Sequence, residues 1–182
     1  MKYAAQSFRD RTGHEVILRN AELSDAADLI RYLKVTSAET PYLIREPEEV
    51  SLSEEQERKI IQRKIDAERE LMLVAIAEGK LAGTCSLMST GLFLRYRHRC
   101  ELAIALYQEY CERGIGERML QAVLDAAEKA GYEQAELEVV SENQRAIALY
   151  EKLGFRTYGT FPDRMKYQDG TYADTVWMMK KL

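Results

Sequence analysis

Residues Glu101–Gly116, ELAIALYQEYCERGIG, decide how this chain reads. An apolar run ends at Leu106, a polar stretch follows, and two glycines lead into an amphipathic segment. The order is strand, turning loop, helix start. The first N–H groups of a helix have no intrahelical partner and carry partial positive charge, which makes them a ready cradle for a phosphate. Gly114 and Gly116 permit a tight turn, and their missing Cβ atoms let phosphate oxygens come close. A lone GxG fits a plain turn equally well. A second motif has to separate the two readings.

That motif is Ser141–Phe155, SENQRAIALYEKLGF. Ser141 with Gln144 three residues on predicts a capping box at a helix start. Ala146, Leu149, Tyr150 and Leu153 fall on one helical face, and Gly154 supplies the stop. Tyr150 therefore reads either as a core aromatic on that stripe or as a functional hydroxyl.

Working outward, His14–Arg19 predicts a strand that pairs through the Asp10–Gly13 turn with residues Tyr3–Phe8. Ser24 and Asp25 start a helix with Leu29, Ile30 and Leu33 on its apolar side. Pro41 and Pro47 mark a break, and a second helix covers about Ser53–Glu68. Leu71–Ala77 and Lys80–Met88 form a hairpin turning at Glu78–Gly79. A strand at Arg99–Leu106, a helix from Gly116 to near Gly131 and a strand at Ala135–Val140 follow. A helix at Glu142–Leu153 and strands near Arg156–Phe161 and Tyr172–Lys180 complete the order. Repeats and low-complexity tracts are absent. The expectation is one α/β (α+β) domain over residues 1–182, with a mixed, mostly antiparallel sheet flanked by helices.

Composition narrows the function classes. The 182 residues carry 26 Lys and Arg against 30 Asp and Glu, a net charge of −4, which argues against a general nucleic-acid binder. Residues Met1–Asp10 lack a signal-peptide apolar core, and no apolar run reaches membrane-spanning length. Cys85, Cys100 and Cys111 are odd in number and make no CxxC, so they read as reduced thiols of a cytoplasmic protein. His14 and His98 are the only histidines and neither has ligand spacing, so no metal is expected. The Gly114 loop lacks the Lys-Ser/Thr of a P-loop and the third glycine of a dinucleotide fingerprint.

The two motifs together resemble the acetyl-CoA motifs of the GNAT superfamily of N-acetyltransferases. The family's (Q/R)xxGx(G/A) loop matches as Cys111–Gly116, with Cys111 in place of the usual Gln or Arg. Its NxxAxxLYxxxGF pattern matches as Asn143, Ala146, Leu149, Tyr150, Gly154 and Phe155. The resemblance implies a GNAT fold in which two neighbouring strands, here around Ile104–Leu106 and Leu137–Val140, splay apart beyond a β-bulge to admit acetyl-CoA. It implies that Ile104, Ala105 and Leu106 pair with the pantetheine arm. Glu112, Arg113, Gly114, Ile115, Gly116 and Glu117 would form the pyrophosphate turn, with Arg113 and Arg118 offsetting the loop's carboxylates. Asn143 would bond the pantetheine or acetyl region, and Tyr150 would place its hydroxyl at the CoA sulfur.

The implied chemistry is direct acetyl transfer to a primary amine of a small molecule or peptide. A carboxylate takes the amine's proton, and a tyrosine returns one to the leaving thiolate. Glu101 is the candidate base. It shares a strand face with Ala103 and Ala105, and it reads equally as half of an ion pair with Arg97 or Arg99. His98, on the other face, is the rival base. No His–Asp or His–Asn framework supports a cysteine nucleophile. Glu39, Glu46, Glu48, Glu49, Glu54, Glu55 and Glu57 read as an acidic rim for a cationic amine or as locally used helix-start carboxylates. A non-catalytic acyl-CoA-binding or regulatory module of the same fold is the alternative. A homodimer through terminal-strand pairing is compatible with the sequence.

Overall fold

The computed structural model describes residues 1–91 and 93–182. Its eight strands are β1 (Gln6–Arg9), β2 (Glu15–Asn20), β3 (Leu71–Ala77), β4 (Lys80–Ser89), β5 (Arg99–Leu106), β6 (Gln134–Val140), β7 (Arg156–Lys166) and β8 (Tyr172–Lys181). The four α-helices are α1 (Ala26–Glu39), α2 (Glu54–Asp66), α3 (Ile115–Lys129) and α4 (Gln144–Lys152). One sheet runs in the order β1-β2-β3-β4-β5-β6-β8-β7. Every neighbouring pair is antiparallel except β5 and β6, which are parallel. The mixed, mostly antiparallel sheet expected from the sequence is the one observed.

Strand β3 shows why the sheet sits in the middle. Its near-continuous apolar run, LMLVAIA, serves two faces, as a strand buried on both sides must. Leu71, Leu73, Ala75 and Ala77 join the core under α3 and α4, with Met119, Leu120, Val123, Leu124 and Tyr150. Val74 turns the other way, to Leu29 and Tyr32 of α1 and Ile61 of α2. The β3–β4 hairpin turns through Glu78 (φ 53°) and Gly79 (φ 75°), two left-handed residues that match the twist of the flanking strands.

Two expectations are corrected. The helix start at Ser141 is moved: Asn143 caps α4, its Oδ1 accepting from Ala146 N–H at 3.2 Å. Gln144 donates instead to the Ser141 carbonyl at 2.6 Å, so no capping box forms there. The β-bulge expected beside Ile104–Leu106 is also absent. The β4–β5 register is unbroken from Gly83↔Leu106 to Ser89↔Cys100, and the irregularity in this region lies between β3 and β4 at Ala75/Ile76. Gly83 explains the tight seam, because a Cβ there would stand 2.5 Å from the Ala105 carbonyl oxygen.

Candidate active site

The sheet opens between its two parallel strands. β5 and β6 pair only at Arg99↔Gln134, Cys100↔Ala135 and Glu101↔Glu136, and the remainder of each strand is not paired to the other. Tyr107 N–H donates across to Ala82 O at 3.0 Å on the β4 side. Backbone direction alternates along a strand, so Ala105 also turns its main chain to β4, while Ile104 and Leu106 aim theirs into the split. The Ala105 carbonyl additionally accepts the Tyr32 hydroxyl at 2.8 Å. Of the three residues expected to pair with a pantetheine arm, Ile104 and Leu106 offer free main-chain groups; Ala105 does not. An extended amide-bearing chain could add to such an edge as a strand does.

The glycine loop closes one end of the split. Glu112 (φ 63°) and Gly114 (φ 82°) are left-handed on either side of Arg113. Alternation of this kind turns successive N–H groups into one concavity, a nest for an anion. Gly114 is the N-cap of α3, and Arg118 N–H makes a helical bond back to its carbonyl at 3.3 Å. The N–H groups of Ile115, Gly116 and Glu117 thus sit at the open helix end. Gly116 lies against the split: a Cβ there would be 3.4 Å from Leu106, 3.7 Å from Ile104 and 3.7 Å from Leu149.

The charges around this loop differ from the expected set. Arg113 does not face the nest. Its Nε reaches Asp10 at 2.6 Å and its Nη2 reaches Glu78 at 3.3 Å, fastening the loop to the β1–β2 and β3–β4 turns. Burial opposes the ionisation of Asp10, yet hydrogen bonds from Thr12, Arg113 and the His14 N–H hold its carboxyl down at about 2. Arg118 stacks over the Phe8 ring at 5.6 Å and makes no ion pair with Glu117, to which it adds only a smaller favourable charge. Glu117 is neutralised by Lys152 at 2.7 Å and by Arg11 at 3.3 Å, the latter from outside both motifs.

Tyr150 packs as the core aromatic that its place on the helical stripe predicts. The ring is buried, 7% exposed, edge-to-face with Phe155 at 6.0 Å. Its hydroxyl makes no hydrogen bond among the described residues, and burial pushes its pKa well up, so it stays protonated.

On the α1/α2 side, where the β5–β6 pairing ends, a cavity of about 210 Å³ is lined by Tyr96, Arg99, Glu101, Glu136, Glu138 and Trp177 among others. Arg99 holds the 97%-buried side chain of Glu136 in a two-pronged pair at 2.5 and 2.6 Å. The expected ion pair of Glu101 with Arg97 or Arg99 is not made, because Arg99 is committed to Glu136. Burial, followed by the charges of Glu138 and Glu136, pushes the Glu101 pKa up. Glu138 accepts from Thr175 Oγ1 at 2.6 Å and from Arg164 Nε at 3.0 Å. Tyr158 packs edge-to-face on Trp177 at 6.1 Å. His98, the rival base, lines a different recess with Arg69 and Gly131.

Sequence reasoning missed Glu138, Tyr96 and Trp177 on this wall. Alternation on β6 and β8 could have placed Glu138 opposite Trp177, since the two are register partners. The acidic run resolves toward local use. Glu54 pairs with Arg58 at 2.8 Å, Glu55 with Lys59 at 2.7 Å, and Glu46 and Glu49 cap their own turn. Glu39 leaves the run to accept from Gln108 N–H at 2.8 Å.

Comparison with known proteins agrees with this architecture. Residues 36–155, more than half of the chain, match the model of the Acetyltransferase (GNAT) family, and the chain belongs to that family. An acetyltransferase of the GNAT family from Streptococcus pneumoniae superposes with a TM-score of 0.87 at 27% identity, over 92% of this chain and 99% of that one. A GNAT superfamily phosphinothricin acetyltransferase from Sinorhizobium meliloti, solved in complex with acetyl-CoA, superposes with a TM-score of 0.80 at 22% identity, over 92% and 88%. In sequence, an N-alpha-acetyltransferase of Sulfurisphaera tokodaii is 29% identical over 90% of this chain and 92% of its own length. The chain spans 64% and 35% of the first two curated relatives that it matches. No helix among the described residues is long and apolar enough to cross a membrane.

Proposed function

We propose that this chain is an acetyl-CoA-dependent N-acetyltransferase that passes the acetyl group directly to a primary amine of a small molecule or peptide. The observation that carries the reading is the opening itself: the β5–β6 pairing stops after Glu101, and the edge left free at Ile104 and Leu106 leads to the glycine nest at the start of α3. The nest at Glu112–Gly116 fits a pyrophosphate, and the free groups of Ile104 and Leu106 fit an amide-bearing arm. Relatives named as N-acetyltransferases, and a neighbour solved with acetyl-CoA, support the same assignment. When bound, acetyl-CoA would supply an activated thioester carbonyl.

The chain's own residues would do the rest. A protonated amine entering the cavity between Tyr96 and Trp177 meets Glu101, whose raised pKa makes it a stronger base than an ordinary glutamate. Glu101 takes the proton and leaves the nitrogen lone pair free to attack. N–H groups on the free β5 edge stabilise the charge that develops on the carbonyl oxygen. The Tyr150 hydroxyl donates a hydrogen bond to the departing sulfur. A thiolate whose acid has a pKa of about 8.5 is a weaker base than tyrosinate at about 10, so the proton stays on Tyr150 and the thiolate leaves as the anion, to be protonated by solvent. Glu101, Glu136 and Glu138 outnumber the two arginines paired on this wall, Arg99 and Arg164, which favours cationic acceptors over anionic ones.

The test is thiol release from acetyl-CoA across polyamines, aminoglycosides, amino acids and N-terminal peptides, with mass spectrometry of the amine product. Acetylated amine with matching CoA release is the expected result. Tight acetyl-CoA binding without release for any amine would replace this reading with the binding-module alternative.

A further inference from the structure

The loop motif lacks its usual first side chain, and the fold offers a substitute from another element. Arg145, on the second residue of α4, extends its Nη2 to within 3.4 Å of Cys111 Sγ, the loop position where the family carries Gln or Arg. Every other cation beside the loop is spoken for: Arg113 by Asp10 and Glu78, Arg11 and Lys152 by Glu117, and Arg118 by the Phe8 ring. Arg145 has no carboxylate partner among the described residues. The guanidinium meets a thiol instead, a weak acceptor that leaves its remaining donors to solvent and open to an anion.

Resting on the acetyl-CoA reading above, we propose that Arg145 is the side chain that grips the pyrophosphate, replacing in space the residue that Cys111 replaces in sequence. A guanidinium donates two parallel bonds to a phosphate and cannot be deprotonated, so this one residue can supply the charge that the nest's neutral amides lack. The substitution also explains how Cys111 is tolerated. A Gln or Arg side chain at that position would occupy the space into which Arg145 reaches.

The experiment is calorimetric titration of wild type, Arg145→Gln and the double variant Arg145→Gln/Cys111→Arg with acetyl-CoA and with 3′-dephospho-acetyl-CoA. Arg145→Gln is expected to weaken both ligands by roughly tenfold or more, the size of a lost charge-assisted phosphate contact. Restoring an arginine at 111 is expected to recover most of that loss, which a merely structural role for Arg145 would not allow. Thermal melts of each variant separate a lost contact from lost folding, and Arg145→Gln, at an exposed site, is expected to keep the wild-type Tm. Wild-type affinity in Arg145→Gln overturns the proposal, as does failure of the double variant to recover. A loss confined to acetyl-CoA overturns it too, by moving the contact to the 3′-phosphate. Absence of acetyl-CoA binding by the wild-type protein would instead remove the underlying cofactor reading.

Discussion

The two ends of the split were built in different ways. The cofactor end uses contiguous sequence: Glu112–Gly116 bends its own backbone into a nest, and α3 begins where the nest ends. The acceptor end has no contiguous motif. Glu101 comes from β5, Glu138 from β6, Trp177 from β8 and Tyr96 from the loop before β5, and they meet only because the register places them together. A backbone site can persist through side-chain change, so the nest itself keeps its shape with Cys111 where Gln or Arg is usual. A side-chain site can be retuned one residue at a time, so the proposed function puts substrate choice at that end.

The contrast can be broken most directly at Glu101. Glu101→Gln should lower kcat/KM for the amine by about 10²- to 10⁴-fold, the usual worth of a general base, without changing acetyl-CoA affinity in calorimetry. A variant with wild-type turnover would put the base elsewhere. Gly114→Val should act at the other end. A β-branched residue cannot hold φ 82°, and its Cβ would crowd Arg11 at 3.2 Å, so acetyl-CoA affinity should fall by roughly 100-fold. Equal affinity in that variant would remove the nest from the cofactor site.

Tyr150→Phe should reduce kcat by about tenfold or more while leaving both Kd and Tm nearly unchanged, because the hydroxyl has no protein partner to lose. A fall in Tm with full turnover would return Tyr150 to a packing role alone. Asp10→Asn probes the anchor under the nest. Loss of its charge-assisted bond to Arg113 should destabilise the fold by about 1.5–3 kcal/mol in urea titration. The folded-state carboxyl at about 2 lies below its unfolded value, so this stabilisation is full above the unfolded pKa and is lost as pH falls toward 2. Asp10→Asn should therefore flatten the acid limb of the stability profile, and an unchanged limb would assign acid lability to another carboxylate.

The smallest effect sharpens the acceptor end. Activity should rise with pH as Glu101 loses its proton, with a limb above the ordinary glutamate range. Glu138→Gln removes a like charge, favours ionised Glu101 and should move that limb to lower pH by a fraction of a unit to about one unit. A limb that stays fixed would show that burial and Glu136, without Glu138, set the Glu101 pKa.

These differences explain what could be read from the chain. Strand β5 and the β3–β4 hairpin were legible because hydrophobic period and the Glu78–Gly79 turn are local signals. The anion loop was legible for the same reason. Arg113 was misplaced because its partner, Asp10, lies a hundred residues away, and its choice between Asp10 and a phosphate is settled by tertiary contact. The start of α4 was misplaced by two residues because Ser141 and Asn143 are both good caps, and the end of β6 decides between them. Tyr32 was missed because a tyrosine on an apolar helix face looks like core. Only the sheet reveals that its hydroxyl reaches the Ala105 carbonyl.

The most direct test of the whole account is a single-turnover reaction of wild type, Glu101→Gln and Tyr150→Phe with acetyl-CoA and a cationic amine identified from the acceptor panel. Product would be followed by mass spectrometry. The account predicts acetylated amine and released CoA in equal amounts for wild type, with both variants binding acetyl-CoA normally but transferring more slowly. Equal transfer rates in all three proteins, or acetyl-CoA bound and never consumed, would contradict it.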